Sequence, residues 1–479
     1  MIAKRAGMWV AGVLALAGCS RTSSSQCTDS SLKSVIQTLV PDWYLWPDLV
    51  AKGVDPAAYA TPQDYLDALV ANAWPDGKTR HLSYVTTATQ QNQYFALGEA
   101  VGFGIGLLWG GTGSAHLLVS QTFTGSPADL AGFGRGDEIL ALGPSATALQ
   151  NISDLIAADP TGASVNALIG PATIGLQVAF QVKKPDGTTV LYAPTKAVYS
   201  LDPVPPYQIL TVGSGKAGYV MVRTFVETAI PLLESAFAAF GAAGVSDVIV
   251  DLRYDGGGLL DVAEALADLL GGVPYGGQVM YSVAVNPNHS PAEAGFPTAV
   301  TFGSVSQSLP SLSHVAFLVT GASASASELV PNALEPYLAP SIPAGQTPRL
   351  ALVGSSTYGK PVGQLGFTVS GCDQAILLIA FQLKNKDGEG SYFDGLPDAA
   401  GQFGGTTCQA TDDLGHAMGD PAEAMTAQAI SWLANGAAAC TAIPARTAAV
   451  VTTGRAQARP AAEREPLGDP ATPELPGVR

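Results

Sequence analysis

The stretch VIVDLRYDGGG, residues 248–258, decides the fold class. Its first part is continuously apolar, which indicates a buried strand. Three glycines follow, and apolar residues then recur at helical spacing at Val262, Leu266 and Leu269. A strand, a glycine turn and a helix in succession predict a mixed α/β domain.

Residues 201–440 continue this pattern, and we interpret them as one α/β domain. The stretches from Gly218 to Phe225 and from Leu350 to Val353 predict further strands. Asp420-Pro421 predicts the start of a last helix, with Glu423 closing a capping box.

Two regions of different character precede this domain. Residues 32–98 predict a helical region, in which Thr61-Pro62-Gln63-Asp64 carries the cap, the proline and the acidic residue of a helix start. Residues 99–200 predict a β-rich module, in which the stretch 176–192 forms a hairpin around Pro185-Asp186-Gly187.

The composition limits the classes of function. The chain has 479 residues, of which 47% are hydrophobic and 13% charged, so it is long and apolar enough for a large core. Its formal net charge of −16 argues against nucleic-acid binding, which needs a basic face. We find no metal-binding motif and expect neither a metal nor a cofactor.

The amino terminus predicts export. Two basic residues precede an apolar run that is shorter than the ~20 residues of a spanning helix, as in a secretory signal. The sequence Leu16-Ala17-Gly18-Cys19 then resembles a bacterial lipobox, which implies removal of residues 1–18 and lipidation of Cys19. Residues 19–31 would be a tether, and we expect a lipid anchor in the cell envelope. In a Gram-negative lipoprotein Ser20 resembles an outer-membrane sorting signal, which implies the periplasmic face of the outer membrane if the source is Gram-negative. The alternative is a plain signal peptide followed by a chance cysteine.

Residues 441–479 lack apolar periodicity and predict a disordered tail. Four cysteines follow the lipobox, and in an exported chain an even count permits disulfides in three pairings. We expect Cys372 to pair with Cys408, leaving Cys27 and Cys440, and free buried thiols are the alternative.

Three polar segments carry the candidate chemistry: residues 251–258, 325–328 and 354–364. A serine nucleophile needs a base. The histidines lie far apart and lack a Gly-x-Ser-x-Gly context; they are His81, His116, His289, His314 and His416. A lysine can serve instead when burial lowers its pKa, and Lys360 follows an apolar strand between Gly359 and Pro361.

A phosphate-binding loop is a competing interpretation of the third segment. Residues 354–360 fit the Gly-x4-Gly-Lys pattern, but Pro361 stands where a hydroxyl should hold magnesium. We therefore expect no nucleotide.

The β-rich module resembles a PDZ domain of the bacterial protease type. The resemblance is carried by Gly102-Phe103-Gly104-Ile105, Ser126-Pro127-Ala128, Ala131-Gly132 and Gly136-Asp137. It implies capture of an extended peptide or its terminal carboxylate through the backbone near Gly102, Phe103, Gly104 and Ile105.

The three polar segments, in this order after such a module, resemble the S41 family of carboxyl-terminal processing peptidases. The stretches 42–46, 82–84 and 392–398 also resemble segments of proteins in that family. The resemblance implies a spiral-type α/β serine peptidase domain that acts on proteins or peptides.

Matching residue by residue places the nucleophile at Ser325, the general base at Lys360 and the residue that orients the base at Gln364. Ser325 would lie at the mouth of a helix, where the N–H of Ala326 can donate to an oxyanion. The turn at Gly256 and Gly257 would supply the second donor.

Two departures from the family pattern concern spacing and charge. Ser325 and Lys360 are 35 positions apart, which is longer than usual, and the extra length falls on residues 341–349. Pro336 stands where some members carry an acidic residue.

The alternatives to a peptidase are a catalytically silent peptide-binding lipoprotein and an adaptor that uses the β-rich module alone. In both, the Ser-Ala-Ser-Glu segment would only cap a helix.

Overall fold

The structure is a computed structural model that describes residues 27–110, 116–310, 312–339, 348–369, 371–398, 401 and 403–444. The predicted signal peptide, Cys19 and most of the predicted tail lie outside these residues. Within them, no helix is both long and apolar enough to cross a membrane.

The described residues contain α-helices at α1 (Asp29–Trp43), α2 (Pro62–Leu69), α3 (Ala88–Phe95), α4 (Pro127–Ala131), α5 (Ile152–Ala158), α6 (Ala163–Ile169), α7 (Ala229–Ala242), α8 (Leu260–Tyr275), α9 (Ala326–Leu338) and α10 (Ala424–Asn435). Their strands are β1 (Tyr84–Thr87), β2 (Glu99–Gly102), β3 (Ile105–Gly110), β4 (His116–Thr122), β5 (Glu138–Gly143), β6 (Gln150–Asn151), β7 (Ala179–Lys183), β8 (Thr189–Tyr192), β9 (Ala197–Ser200), β10 (Gln208–Val212), β11 (Gly215–Met221), β12 (Asp247–Asp251), β13 (Val279–Val285), β14 (Ala299–Thr301), β15 (His314–Val319), β16 (Leu350–Gly354), β17 (Val362–Thr368), β18 (Gln374–Asn385) and β19 (Thr406–Gln409).

The central sheet has the strand order β10-β11-β12-β15-β16-β19. Its strands from β11 onward are parallel, and β10 joins the edge antiparallel. Val248 and Val250 of β12 face a core shared with α7, α8 and α9, whereas Ile249 faces the core that contains α10. Because both faces are covered, the strand is apolar at successive positions, and the predicted mixed α/β fold is confirmed.

A second sheet is built around the long strand β18. Strand β17 pairs along one edge of β18, while β1 and β13 pair at successive positions along the other. Strand β14 extends the sheet beyond β13. This sheet carries the polypeptide that directly follows Lys360.

The β-rich module has its own sheet and its own core. The strand order is β3-β4-β5-β7-β8, with β6 beside β5, and helices α4, α5 and α6 contribute to the core. Strands β7 and β8 form the predicted hairpin. Strands β2 and β9 pair with each other at the two ends of the module.

The amino-terminal region differs from the prediction at both ends. Residues 29–31, predicted as tether, form the first turn of α1 because Thr28 caps the helix through Ser31. Strand β1 lies inside the region predicted as helical, since residues 84–87 add to the edge of β18. The predicted helix start at Thr61 is confirmed, with its hydroxyl accepting from the Asp64 N–H.

The last helix begins later than predicted. Glu423 is the cap itself rather than the closing residue of a capping box, because its carboxylate accepts from the N–H groups of Met425 and Thr426. Helix α10 therefore starts at Ala424.

The predicted disulfide between Cys372 and Cys408 is wrong. The structure instead pairs Cys27 with Cys372 and Cys408 with Cys440. Cys372 lies in the turn between β17 and β18, beside the start of α1, whereas Cys408 lies on β19 beside the end of the described carboxyl-terminal segment. The pairing follows these tertiary contacts, which the sequence spacing does not encode.

Candidate active site

The three polar segments meet at one edge of the central sheet. Residues 252–258 follow β12, residues 320–325 follow β15, and residues 355–360 follow β16. These strands are adjacent and parallel, so their carboxyl ends lie side by side. Open parallel sheets bind their ligands at this edge, which makes it the candidate site.

Ser325 occupies a strained position at the mouth of α9. Its φ is +57°, a conformation that a residue with a side chain rarely adopts. It is half-buried, whereas Ser323 and Ser327 are buried and donate to the carbonyl oxygens of Leu252 (2.7 Å) and Asp255 (2.8 Å). The neighbouring serines therefore hold the turn in place, and Ser325 is the most exposed of the three.

Lys360 is almost fully buried, with 1% of its surface exposed. Its Nζ donates to Gln364 Oε1 at 3.0 Å, and Gln364 Nε2 in turn donates to the carbonyl of Leu82 at 2.9 Å. The register of β17 against β18 shifts between Gly363 and Gln364, and such a bulge redirects the side chain that follows it. Gln364 thus contacts the lysine Nζ, and its role in orienting a base stays a prediction.

Glu328 joins the serine segment to the lysine segment, and the sequence interpretation assigned it no role. One carboxylate oxygen accepts from the N–H of Ser325 (2.9 Å) and of Lys360 (2.8 Å). The other accepts from the N–H of Gly359 (2.7 Å) and the hydroxyl of Thr357. Its place three residues after Ser325, as in a capping box, was the available signal.

The pKa of Glu328 is raised because the carboxylate is fully buried, and its hydrogen bonds oppose that shift. A carboxylate with four donors and two partner segments holds the backbone of both segments in one arrangement.

The glycine turn after β12 presses against Ser325. A side chain on Gly257 would come within 2.8 Å of the Ala326 nitrogen and 3.0 Å of Ser325 Cβ, so only glycine fits. The N–H of Gly257 donates to Asp255 Oδ1 at 2.8 Å, so it is engaged within the turn. Gly256 and Ala326 remain the predicted oxyanion donors.

Arg253 fixes the start of this turn. Its guanidinium, fully buried, contacts the carboxylates of Asp251, Asp412 and Glu423. Burial raises the pKa of Glu423, but hydrogen bonds and charge from Arg253 dominate and lower it to about 2. Arg135 of the β-rich module reaches the same cluster, donating to Asp412 at 2.6 Å.

The five histidines lie outside the three segments. Each is within 4 Å of a carboxylate elsewhere, namely Asp67 for His81, Glu138 for His116, Asp42 for His289, Asp247 for His314 and Asp413 for His416. Among the described residues no group of histidine, cysteine and acidic side chains could hold a metal ion.

The predicted peptide-binding residues lie at the start of strand β3. Phe103 is buried in the core of the module, and its carbonyl accepts from the Ala128 N–H at 2.8 Å. Gly104 has a φ of +69°, and Gly102 ends β2. From Ile105 onward, β3 is the end strand of its sheet, with β4 on one side.

Comparisons with known proteins find related sequences and a related fold. The family model described as "Peptidase family S41" matches residues 216–396, and the model described as "Peptidase S41 N-terminal domain" matches residues 33–80. A chloroplastic C-terminal processing peptidase of Tetradesmus obliquus is 25% identical over 293 residues, covering 60% of this chain and 57% of its own. Carboxyl-terminal-processing peptidase 3, a chloroplastic protein of Arabidopsis thaliana, is 27% identical and covers 52% of this chain and 43% of its own. The chain thus spans about half the length of these relatives.

A solved structure assigned to the S41 proteases, from Bacteroides fragilis, has the same fold. It aligns with a TM-score of 0.60 at 21% identity, covering 83% of this chain and 96% of its own.

Proposed function

This chain belongs to peptidase family S41, and on that premise we propose that it is a serine endopeptidase whose nucleophile is Ser325 and whose general base is Lys360. Its substrates would be proteins or peptides, bound in extended form at the carboxyl edge of the central sheet.

The observation that carries this proposal is the environment of Lys360. The side chain is almost fully buried, and its Nζ donates to the amide oxygen of Gln364 at 3.0 Å. The amine is thereby shielded from water and held in one orientation, as a base for a serine nucleophile must be. A catalytically silent scaffold would not need that arrangement beside a strained serine.

The reaction would proceed as acyl transfer. Lys360 Nζ takes the proton of the Ser325 hydroxyl as the oxygen attacks the peptide carbonyl. The N–H groups of Ala326 and Gly256 stabilise the oxyanion. Lys360 then gives the proton to the leaving amine, and a water molecule, deprotonated by the same lysine, hydrolyses the acyl-enzyme.

We assign substrate capture or gating to the β-rich module as a PDZ-like domain. Its end strand β3 can accept an added peptide strand along its outer edge. Arg135 connects the module to Asp412 and Tyr254, beside the glycine turn of the site. This route would allow peptide binding at the module to influence the turn.

Incubation with an unfolded protein tests the proposed function. We expect the purified mature protein to release fragments whose new termini mass spectrometry can map. Ser325→Ala should lower the rate by about 10³-fold or more, because the nucleophile is lost. Equal cleavage by the folded Ser325→Ala variant would contradict the proposal and favour the catalytically silent alternative.

The envelope location is a second part of the proposal. The lipobox-like Leu16-Ala17-Gly18-Cys19 supports cleavage before Cys19 and lipidation of its thiol. Ser20 supports a place on the periplasmic face of the outer membrane if the source is Gram-negative. Mass spectrometry of the mature terminus should find a diacylated or triacylated cysteine at position 19. An unmodified amino terminus at another residue would exclude the anchor.

A further inference from the structure

Within the described part of the chain, Asp255 is a buried carboxyl group with no ion-pair partner, at the turn that supports Ser325. Its surface is fully buried, and Oδ1 accepts the N–H of Gly257 at 2.8 Å. Oδ2 is buried as well and has no hydrogen bond of ordinary geometry among the described residues, although the Ser327 hydroxyl, which donates to the Asp255 carbonyl, lies close enough to oppose the rise of the carboxyl pKa. Burial of an ionised carboxylate with one unbonded oxygen has a large desolvation free energy, so the neutral form of the carboxyl is favoured here.

The backbone of Asp255 carries both sides of the nucleophile turn. Its carbonyl oxygen accepts from the N–H of Ala324 (3.1 Å) and from the hydroxyl of Ser327 (2.8 Å). Through Gly257, its side chain also fixes the glycine that presses on Ser325 and on the N–H of Ala326. A change of charge at this carboxyl is therefore felt where an oxyanion would form.

The neighbouring ionisable groups do not neutralise Asp255. Tyr94 of α3 faces it, and burial together with the Asp255 charge raises the pKa of Tyr94, whose hydroxyl bonds to Thr224 at 3.0 Å. Arg253 directs its guanidinium to three other carboxylates. Glu328 of α9 accepts from the segment of Lys360.

We propose that Asp255 is a positioning residue whose protonated carboxyl keeps the turn of Ser325 competent for catalysis, and whose ionisation switches the peptidase off at alkaline pH. This inference rests on the proposed function. Burial raises the pKa of Asp255 well above that of an ordinary aspartate, so the neutral form persists to higher pH. Above that pKa an uncompensated negative charge lies beside the oxyanion donors and opposes the developing charge.

The test compares wild type with Asp255→Asn across the pH range. Asparagine keeps an oxygen for the Gly257 N–H but cannot ionise. We expect kcat/KM near neutral pH to stay within about threefold of wild type. At alkaline pH we expect wild type to lose about tenfold or more, and the variant to keep its activity.

Two control variants keep the ionisable carboxyl at position 255. Asp268→Asn removes a half-buried carboxyl on α8 that likewise accepts a glycine N–H, from Gly303 at 2.7 Å. Tyr94→Phe removes the tyrosine that faces Asp255. Both should retain the alkaline decline, and circular dichroism at each pH confirms that the fold persists.

A readout independent of activity is the free energy of unfolding. Because the folded-state pKa is raised, wild type loses stability as pH rises from the unfolded value towards the folded one, and Asp255→Asn does not. The stability advantage of the variant should therefore grow with pH in that window. If Asp255→Asn fails to fold, Asp255→Ser takes its place, since a serine hydroxyl can accept from the N–H two residues on.

The outcomes separate the two proposals. If wild type cleaves no protein, the proposed function fails. If the difference in unfolding free energy between wild type and Asp255→Asn still grows with pH, the protonated state of Asp255 is nevertheless supported. An active wild type whose alkaline decline survives in Asp255→Asn overturns the inference. Equal pH dependence of stability in the two proteins overturns it as well.

Discussion

Lys360→Arg is expected to abolish proteolysis while leaving the protein folded. Arginine keeps much of the side-chain volume, but it is permanently charged because it cannot give up a proton in a protein. Without a base, Ser325 keeps its proton and cannot attack, so we expect kcat/KM to fall by about 10³-fold or more.

A double variant completes this test. The double variant Ser325→Ala, Lys360→Arg should be scarcely less active than either single variant, because the pair acts as one unit. Substantial cleavage by folded Lys360→Arg would rule out Ser325 and Lys360 as the catalytic pair, and one of the histidines would become the candidate base.

Glu328→Gln should be nearly as damaging, although it changes only one atom of the side chain. The two carboxylate oxygens accept four hydrogen bonds, and each takes at least one from a backbone N–H. Whichever oxygen becomes an NH₂ group, that donor then faces another donor. Each buried N–H left unpaired costs about 1–3 kcal/mol, and the turn of Ser325 and the segment of Lys360 would separate.

We expect kcat/KM of Glu328→Gln to fall by about 10²-fold, chiefly in kcat, because the reacting groups lose their alignment. The matched control is Glu335→Gln on the same helix, where a half-buried carboxylate accepts the N–H of Gly404 at 3.0 Å. That control should stay near wild type. A Glu328→Gln variant with unchanged kcat would show that the two segments hold their positions without the carboxylate.

The sequence alone was sufficient to predict the structural features that depend on residues close together in the chain. The apolar run of β12, the following glycines and the helical spacing after them predict the α/β fold because burial on both faces requires apolar residues at successive positions. The hairpin of β7 and β8 and the helix start at Thr61 follow from local turn and capping chemistry. The three polar segments could be recognised for the same reason, since each is a short, contiguous motif.

Other features were decided by contacts between distant parts of the chain. Adjacent parallel strands bring the segments of Ser325 and Lys360 together, and only there does Glu328 find donors on both. The engaged N–H of Gly257 and the unbonded oxygen of Asp255 likewise depend on the packed turn.

The disulfides and strand β1 likewise depend on contacts between residues that are distant in the sequence. Cys27 meets Cys372, and residues 84–87 join β18, across separations of several hundred residues in the chain. Residue spacing carries no information on such pairings, because many chain paths satisfy the same local preferences. The burial of a common core selects one of these paths, and that selection places the partners.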